Sequence, residues 1–267
     1  MKKILFDFYI GSDHITISSY RFFLIASVFV VLGGSFYLTL KQKISPYKIL
    51  ILLLASSIFM LFGARLSNYI SNNDAFTLND QKFFALEFSN FDLFGGLIFT
   101  AIFSLMICAI FKLDVWKTAD AIVPTLGLGI ITLRVGCFLN ACCIGKPTNL
   151  PWGISIPLDQ SKYSDTLSSL FSILPEESLP LHPTQIYEIV GVALLLIFTF
   201  FIFKSSLKIG TAALVFCIGY SCIRLINENF REITEYSSMP HYYALLLFSL
   251  SILILSIILF LRYKFIK

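Results

Sequence analysis

Seven stretches of the chain run almost free of charge, near residues 20–40, 47–66, 92–111, 118–139, 184–203, 209–228 and 241–262. Each approaches the roughly 20 apolar residues that a helix needs to cross bilayer hydrocarbon. Backbone groups inside a bilayer have no water to bond, so such runs predict helices rather than isolated strands. The fourth and sixth runs are the least uniform, because each holds glycine and an internal arginine, Arg134 and Arg224. The expected fold class is an all-α integral membrane protein of about seven transmembrane helices, forming one polytopic domain over residues 1–267.

The polar links between the runs alternate in charge. Lys41, Lys43 and Lys48 follow the first run, Lys112 and Lys117 the third, Lys204 and Lys208 the fifth, and Arg262, Lys264 and Lys267 the last. The other links are acidic, with Asp74, Asp80 and Glu87 in 67–91 and Asp159, Asp165, Glu176 and Glu177 in 140–183. The positive-inside rule then places the C-terminus in the cytoplasm and the N-terminus outside. Only Lys2 and Lys3 oppose this. The segment before Tyr20 contains Asp7, Asp13 and His14 and has no apolar core of signal-peptide type. The long 140–183 link carries Pro147, Pro151, Pro157, Pro175 and Pro180 with Trp152 and Gly153. It is expected to form a small outer-face cap of turns and short strands.

Composition sharpens the membrane reading. The chain is 57 % hydrophobic and 13 % charged, against about a quarter charged residues in soluble domains. Most of its surface is therefore expected to face lipid. The net charge of +4 does not point to nucleic acid, because the basic residues punctuate the apolar runs instead of clustering. The six cysteines do not form a small-domain disulfide framework. Cys108, Cys217 and Cys222 lie in apolar runs and read as small hydrophobes.

On this topology several polar residues reach one depth. Arg65, Arg134 and Arg224 sit toward the outer ends of the second, fourth and sixth runs. Tyr20 and Arg21 open the first run, Gly95 and Gly96 the third, and His182, Gln185, Tyr187 and Glu188 the fifth. An arginine at the centre of a span costs roughly 2.5–3.5 kcal/mol on insertion scales, and less near the interface. Snorkelling to the headgroups accounts for any one of them. Three at one depth, with Asn140, His182 and Glu228, point instead to an anion site, since paired guanidinium donors suit phosphate. In the outer leaflet the phosphate at hand is a phospholipid headgroup.

Other features admit more than one reading. Gly95-Gly96-Leu97 lets two helices approach closely, or admits a lipid. The segment 134–153 suits a helix ending in a sharp re-entrant turn. His182-Pro183 suits a plain helix start, with His182 structural or orienting rather than catalytic. Cys137, Cys142 and Cys143 read as inert packing, as a strained disulfide, as zinc ligands with His182, or as a thiolate activated by a neighbouring arginine. The C-x4-C-C spacing is not a usual zinc pattern, so no metal and no cofactor are expected.

At this point the residues resemble a known family, the phosphatidylglycerol–prolipoprotein diacylglyceryl transferases of bacterial inner membranes. The likeness is carried by Ser19-Tyr20, Gly63-Ala64-Arg65-Leu66 and Phe94-Gly95-Gly96-Leu97. It continues through Arg134-Val135-Gly136, Phe138, Asn140, Gly145, Pro147-Thr148 and Leu150-Pro151-Trp152-Gly153. His182-Pro183-Thr184-Gln185, Tyr187-Glu188, Arg224, Glu228 and Phe230-Arg231-Glu232 complete it, over roughly 18–232. The resemblance implies transfer of a diacylglyceryl group from phosphatidylglycerol to a cysteine thiol near a secreted precursor's signal peptide, with glycerol phosphate leaving. It implies a multi-pass protein of the bacterial inner membrane, with membrane lipids and a prolipoprotein as partners.

By that resemblance Arg134 and Arg224 bind and polarise the phosphate. Asn140, Gly145 and Tyr20 line the lipid site, and Glu228 and Arg231 hold the outer end of the sixth span. Arg65, Gly95, Gly96, His182 and Tyr187 join them as substrate-binding candidates. The sequence also departs from the family. Phe94 stands where the family has a histidine that activates the thiol, Cys137 where it has asparagine, and Cys142 where it has an acidic residue. Cys142 and Cys143 therefore join Arg134 and Arg224 as catalytic candidates, as a covalent relay. The alternatives are a paralogue with another acceptor and a non-catalytic lipid-binding protein. A transporter ranks below both, because no paired broken helices occur in matching halves.

Overall fold

The computed structural model describes residues 4–10, 13–72, 93–143, 145–155, 180–205, 207–231 and 241–265. The acidic residues of the 67–91 link, the acidic residues with Pro157 and Pro175 of the 140–183 link, and the side chain of Phe94 lie outside the described residues. Strands β1 (Ile4–Ile10) and β2 (Asp13–Ser18) form an antiparallel pair. Seven helices follow among the described residues. They are α1 (Ser19–Lys41), α2 (Pro46–Asn72), α3 (Leu93–Ile110), α4 (Val115–Leu139), α5 (Thr184–Lys204), α6 (Thr211–Glu228) and α7 (His241–Phe265).

Each expected apolar run is a helix, and the boundaries agree to within a few residues except where α2 continues to Asn72. Six of the helices are long and apolar enough to span a membrane, and α3 contributes a shorter apolar stretch over Gly95–Ile110. Large side chains such as Phe29, Ile58 and Phe201 point outward from them. A water-facing surface rarely carries so much contiguous apolar area. The chain is a multi-pass helical membrane protein.

The chain divides into two compact units, one of residues 1–35 with 119–267 and one of residues 36–118. In the second unit α2 packs along α3 at very close range. A side chain on Gly63 would strike the Phe99 ring, and one on Gly95 would strike Ser67 and the Gly63 carbonyl. Small residues permit such an approach in lipid, where packing rather than the hydrophobic effect holds helices together. Ser56 and Ser104 share a 2.8 Å hydrogen bond across the pair, and Lys48 donates to the Phe111 carbonyl at 2.8 Å. Arg65, Gly95 and Gly96 all belong to this unit.

The first unit holds the remaining polar clusters. Ser18 caps α1 by accepting the Arg21 amide at 3.3 Å, as an N-cap serine does. Gly129 and Gly136 of α4 admit Val31 and Phe23 of α1, and Ser35 bonds Thr125 at 2.7 Å. Val123, Val192, Ala213 and Phe216 form a buried cluster joining α4, α5 and α6. Asp120, buried on α4, accepts the amides of Gly210 and Ala213 at 2.5 and 2.8 Å, so a carboxylate from one helix caps the start of another. At the opposite end of α6, residues 145–155, 180–182 and 230–231 lie side by side. Their bridges pair Gly145 with Arg231, and Pro147 and Ile154 with Leu181.

Candidate functional site

α6 presents Tyr220, Arg224, Asn227 and Glu228 at spacings of four, three and one, which place all four on one helical face. Arg231 continues the same stripe just past the helix end. Facing it is Glu188 of α5, with 1 % of its surface exposed. Its Oε1 accepts Arg134 Nε and the Tyr220 hydroxyl, each at 3.0 Å. Its Oε2 accepts Arg224 Nη1 at 2.9 Å and Asn227 Nδ2 at 3.3 Å. Arg224 Nη2 continues to Glu228 at 3.3 Å, and Arg231 Nη1 meets the same Glu228 oxygen at 3.0 Å. Three guanidiniums thus face two carboxylates. Buried charges persist only when paired and hydrogen-bonded, and this network supplies both conditions.

Arg134 is the exception. Among the described residues it engages Glu188 through Nε alone. Its two terminal amino groups, the fork that grips a phosphate, make no hydrogen bond among the described residues. The Nε of Arg231 is also buried without a hydrogen bond. Arg134, Arg231, Cys143, Thr184, Gln185, Glu188, Arg224 and Asn227 line one small cleft.

The loop after α4 is shaped by its helix end. Ala141 takes a left-handed conformation (φ 54°), its amide bonds the Phe138 carbonyl, and the Cys142 amide reaches back to Cys137 at 3.1 Å. This is a Schellman cap, which characteristically brings its third-last helical residue against the second residue beyond the cap. Those residues here are Cys137 and Cys142. Cys143 is also left-handed (φ 59°), an unusual state for a side chain larger than hydrogen. The start of α5 holds it there, with Thr184 donating to the Cys143 carbonyl at 2.8 Å and Gln185 to the Cys142 carbonyl at 2.6 Å. The three sulfurs of Cys137, Cys142 and Cys143 lie within 4.8 Å of one another. Hydrogen bonding to Cys137 and then Cys142 holds the Cys143 thiol well below its ordinary range, and Arg134 and Arg231 assist against burial. Cys142 Sγ donates to the Cys137 carbonyl at 3.5 Å, and the neighbouring Cys137 and Cys143 thiols, with burial, push its thiol up.

A second cluster borders this loop. Trp152 Nε1 donates to the Tyr187 hydroxyl at 2.9 Å, and that hydroxyl lies 3.0 Å from His182 Nδ1. Indole can only donate, so the Tyr187 hydroxyl accepts from Trp152, and it bridges the indole to His182 Nδ1. Burial and Lys146 lower the imidazole's affinity for a second proton. Gly145 is buried between the backbones of His182 and Phe230, where any side chain would collide. Close approach of the two chains there requires glycine.

The structure therefore brings together Arg134, Arg224, Glu228, Arg231 and Cys143, with Cys142 adjoining. Tyr20 is close enough to the three thiols and Arg134 to interact electrostatically. Asn140 turns off the end of α4, bonded through its backbone to Gly136 at 3.0 Å. His182, Tyr187 and Gly145 form the border, while Arg65, Gly95 and Gly96 sit in the other unit. The sequence reading noted Glu188 without giving it a role and passed over Tyr220 and Asn227. A lone carboxylate in the apolar run of α5 was the available signal, since an ionisable group inside a span marks a functional position.

The fold is that of a polytopic membrane protein with charged side chains converging between its helices. The prolipoprotein diacylglyceryl transferase family matches this chain over residues 7–262, and the chain belongs to that family. Its relatives include phosphatidylglycerol–prolipoprotein diacylglyceryl transferases from several bacteria. The one from Nostoc sp. is 29 % identical over 227 residues, covering 81 % of this chain and 75 % of the relative. The one from Finegoldia magna is 27 % identical over 224 residues, covering 84 % and 82 %. The one from Pasteurella multocida is 34 % identical over 140 residues, covering 52 % and 45 %.

Proposed function

We propose that this chain transfers a diacylglyceryl group from phosphatidylglycerol, or a closely related phospholipid, to the cysteine thiol beside a prolipoprotein's signal peptide. It does so on the outer face of the bacterial inner membrane, with the N-terminus outside and the C-terminus cytoplasmic. The observation that carries the reading is Arg134. It is anchored by Nε to Glu188 at 3.0 Å, which leaves its two terminal nitrogens without a hydrogen bond among the described residues. A phosphodiester fits that fork bidentately, beside two further guanidiniums, Arg224 and Arg231, already held by Glu188 and Glu228. When the glyceryl carbon–oxygen bond breaks, the departing phosphate gains a second negative charge. Donors already fixed in place then bind the transition state more tightly than the lipid itself. Glu188 acts as a positioning residue, because it fixes both Arg134 and Arg224.

The test uses purified protein in detergent, phosphatidylglycerol labelled in its acyl chains, and a precursor peptide with one acceptor cysteine. Labelled peptide is expected, and Arg134→Gln is expected to lower turnover by at least about 100-fold, the scale of losing one transition-state donor, with membrane insertion unchanged. Undiminished turnover in that variant overturns the assignment. Phe94, which cannot carry a proton, favours a second reading, a divergent paralogue with another acceptor or a lipid-binding protein without turnover. Glycerol phosphate released without labelled peptide supports another acceptor. Neither product supports the non-catalytic reading, against which stands the expense of keeping several charges buried.

A further inference from the structure

The thiol trio adjoins the arginine network, with Cys143 lining the same cleft, and its geometry is that of a ligand set. We propose that Cys137, Cys142 and Cys143 bind one thiophilic divalent cation of the zinc type, whose open fourth position receives the acceptor thiol. The metal site stands on the structure alone, while its use by the acceptor rests on the function proposed above.

The three sulfurs lie within 4.8 Å of one another. A tetrahedral zinc ion with sulfur ligands at about 2.3 Å spaces them about 3.8 Å apart. Closing the trio onto an ion therefore takes a movement of no more than about 1 Å. The C-x4-C-C spacing argued against zinc because ordinary zinc loops pair their ligands differently. The Schellman turn removes that objection by folding Cys142 back onto Cys137, and the left-handed Cys143 completes the triangle. The backbone is held for the purpose, since α5 binds the carbonyls of both Cys142 and Cys143. Arg134 and Arg231, lining the cleft with Cys143, favour thiolates over thiols.

No fourth His, Cys, Asp or Glu joins the trio among the described residues. Three protein ligands with one position free is the pattern of a catalytic zinc site rather than a structural one. The transfer needs such a device, because a thiolate and not a thiol is the nucleophile. Glu188 is an ineffective base, with both oxygens occupied by donors. An acceptor thiol that binds the open position loses its proton. Its sulfur then forms the bond to the glyceryl carbon as the carbon–oxygen bond breaks. The electron pair leaves with the phosphate of glycerol phosphate, and the thiol's proton ends on that phosphate or in solvent. The thioether product is a weaker ligand and departs. This assigns the loop cysteines to activating the acceptor. A covalent relay through Cys142 or Cys143 would instead stop at a thioether, whose thiolate is a poor leaving group.

The experiment titrates Co(II) into reduced, metal-free, full-length protein in detergent, without lipid. One equivalent per chain is expected, with thiolate-to-cobalt charge-transfer bands and strong tetrahedral d–d absorption. Cys137→Ser, Cys142→Ser and Cys143→Ser are each expected to weaken binding by more than about 100-fold, beyond the loss typical of outer-shell partners. Cys108→Ser and Cys217→Ser leave it unchanged. Adding the acceptor peptide shifts the d–d bands, and a peptide with serine in place of its cysteine does not. No stoichiometric uptake, or uptake that survives the triple substitution, overturns the site. If a variant fails to fold, the wild-type charge-transfer intensity still decides, because it counts the bound thiolates. Undiminished transfer in the triple variant overturns the role in catalysis. Cobalt uptake by a protein with no transfer overturns the function and leaves the metal site standing.

Discussion

Glu188 receives two guanidiniums, a phenol and an amide while only 1 % of its surface is exposed. Removing its charge leaves Arg134 and Arg224 facing each other without their shared counter-ion. Glu188→Gln is expected to lower stability by about 3–5 kcal/mol, the range for stranding a buried charge, and to abolish transfer. Thermal unfolding in detergent reads the first effect, and an unchanged midpoint would refute the account. His182 makes a prediction about pH. Its proton affinity is depressed from the ordinary value of 6.5 by burial and by Lys146. The unfolded chain therefore binds the proton first, so stability present above about pH 6.5 is lost as the pH falls below it. His182→Asn, which cannot titrate, is expected to flatten that part of the unfolding profile.

Helices were more legible in the sequence than the joints between them. The apolar runs report α1 to α7 directly, because lipid demands one kind of residue for about 20 positions. The stripe Tyr220, Arg224, Asn227 and Glu228 was readable as well, as polar residues at helical spacing. The β1–β2 pair was not anticipated, although Gly11-Ser12 between two apolar runs is a hairpin signal. The thiol trio was named in the sequence with several readings open, but its closeness was not legible, since it depends on two left-handed non-glycine residues that no local preference announces. The partners of Asp120 were equally hidden. It caps α6 from 90 and 93 residues away in sequence, and no window-based reading spans that distance. Asp120→Ala is expected to cost about 1–3 kcal/mol, because it strands two amides. Asp120→Asn, which keeps an acceptor oxygen, should recover part of that loss in the same unfolding measurement.

At the scale of the molecule the lysines and the arginine network occupy opposite ends of the helices. α4 begins beside Lys117 and carries Arg134 near its far end, while α5 begins with the site and ends at Lys204. α6 follows Lys208 and ends with Arg224 and Glu228, and α7 ends with Arg262 and Lys264. A helix that crosses a bilayer keeps its ends on opposite faces. The lysine-rich ends and the cleft then face opposite compartments, and the orientation proposed above, from the positive-inside rule, gives the lysines to the cytoplasm. The proposed reaction requires this arrangement, because its acceptor is a precursor being exported. A green fluorescent protein fused after residue 267 is expected to fluoresce, and alkaline phosphatase fused there to be inactive. The converse pair of results would put Arg134 and the thiol trio on the cytoplasmic face. An acceptor cysteine at the outer end of a signal peptide would then lie across the hydrocarbon from the site, about 30 Å away. Transfer to a prolipoprotein would be untenable on that geometry, whatever the affinity of the site for phosphate.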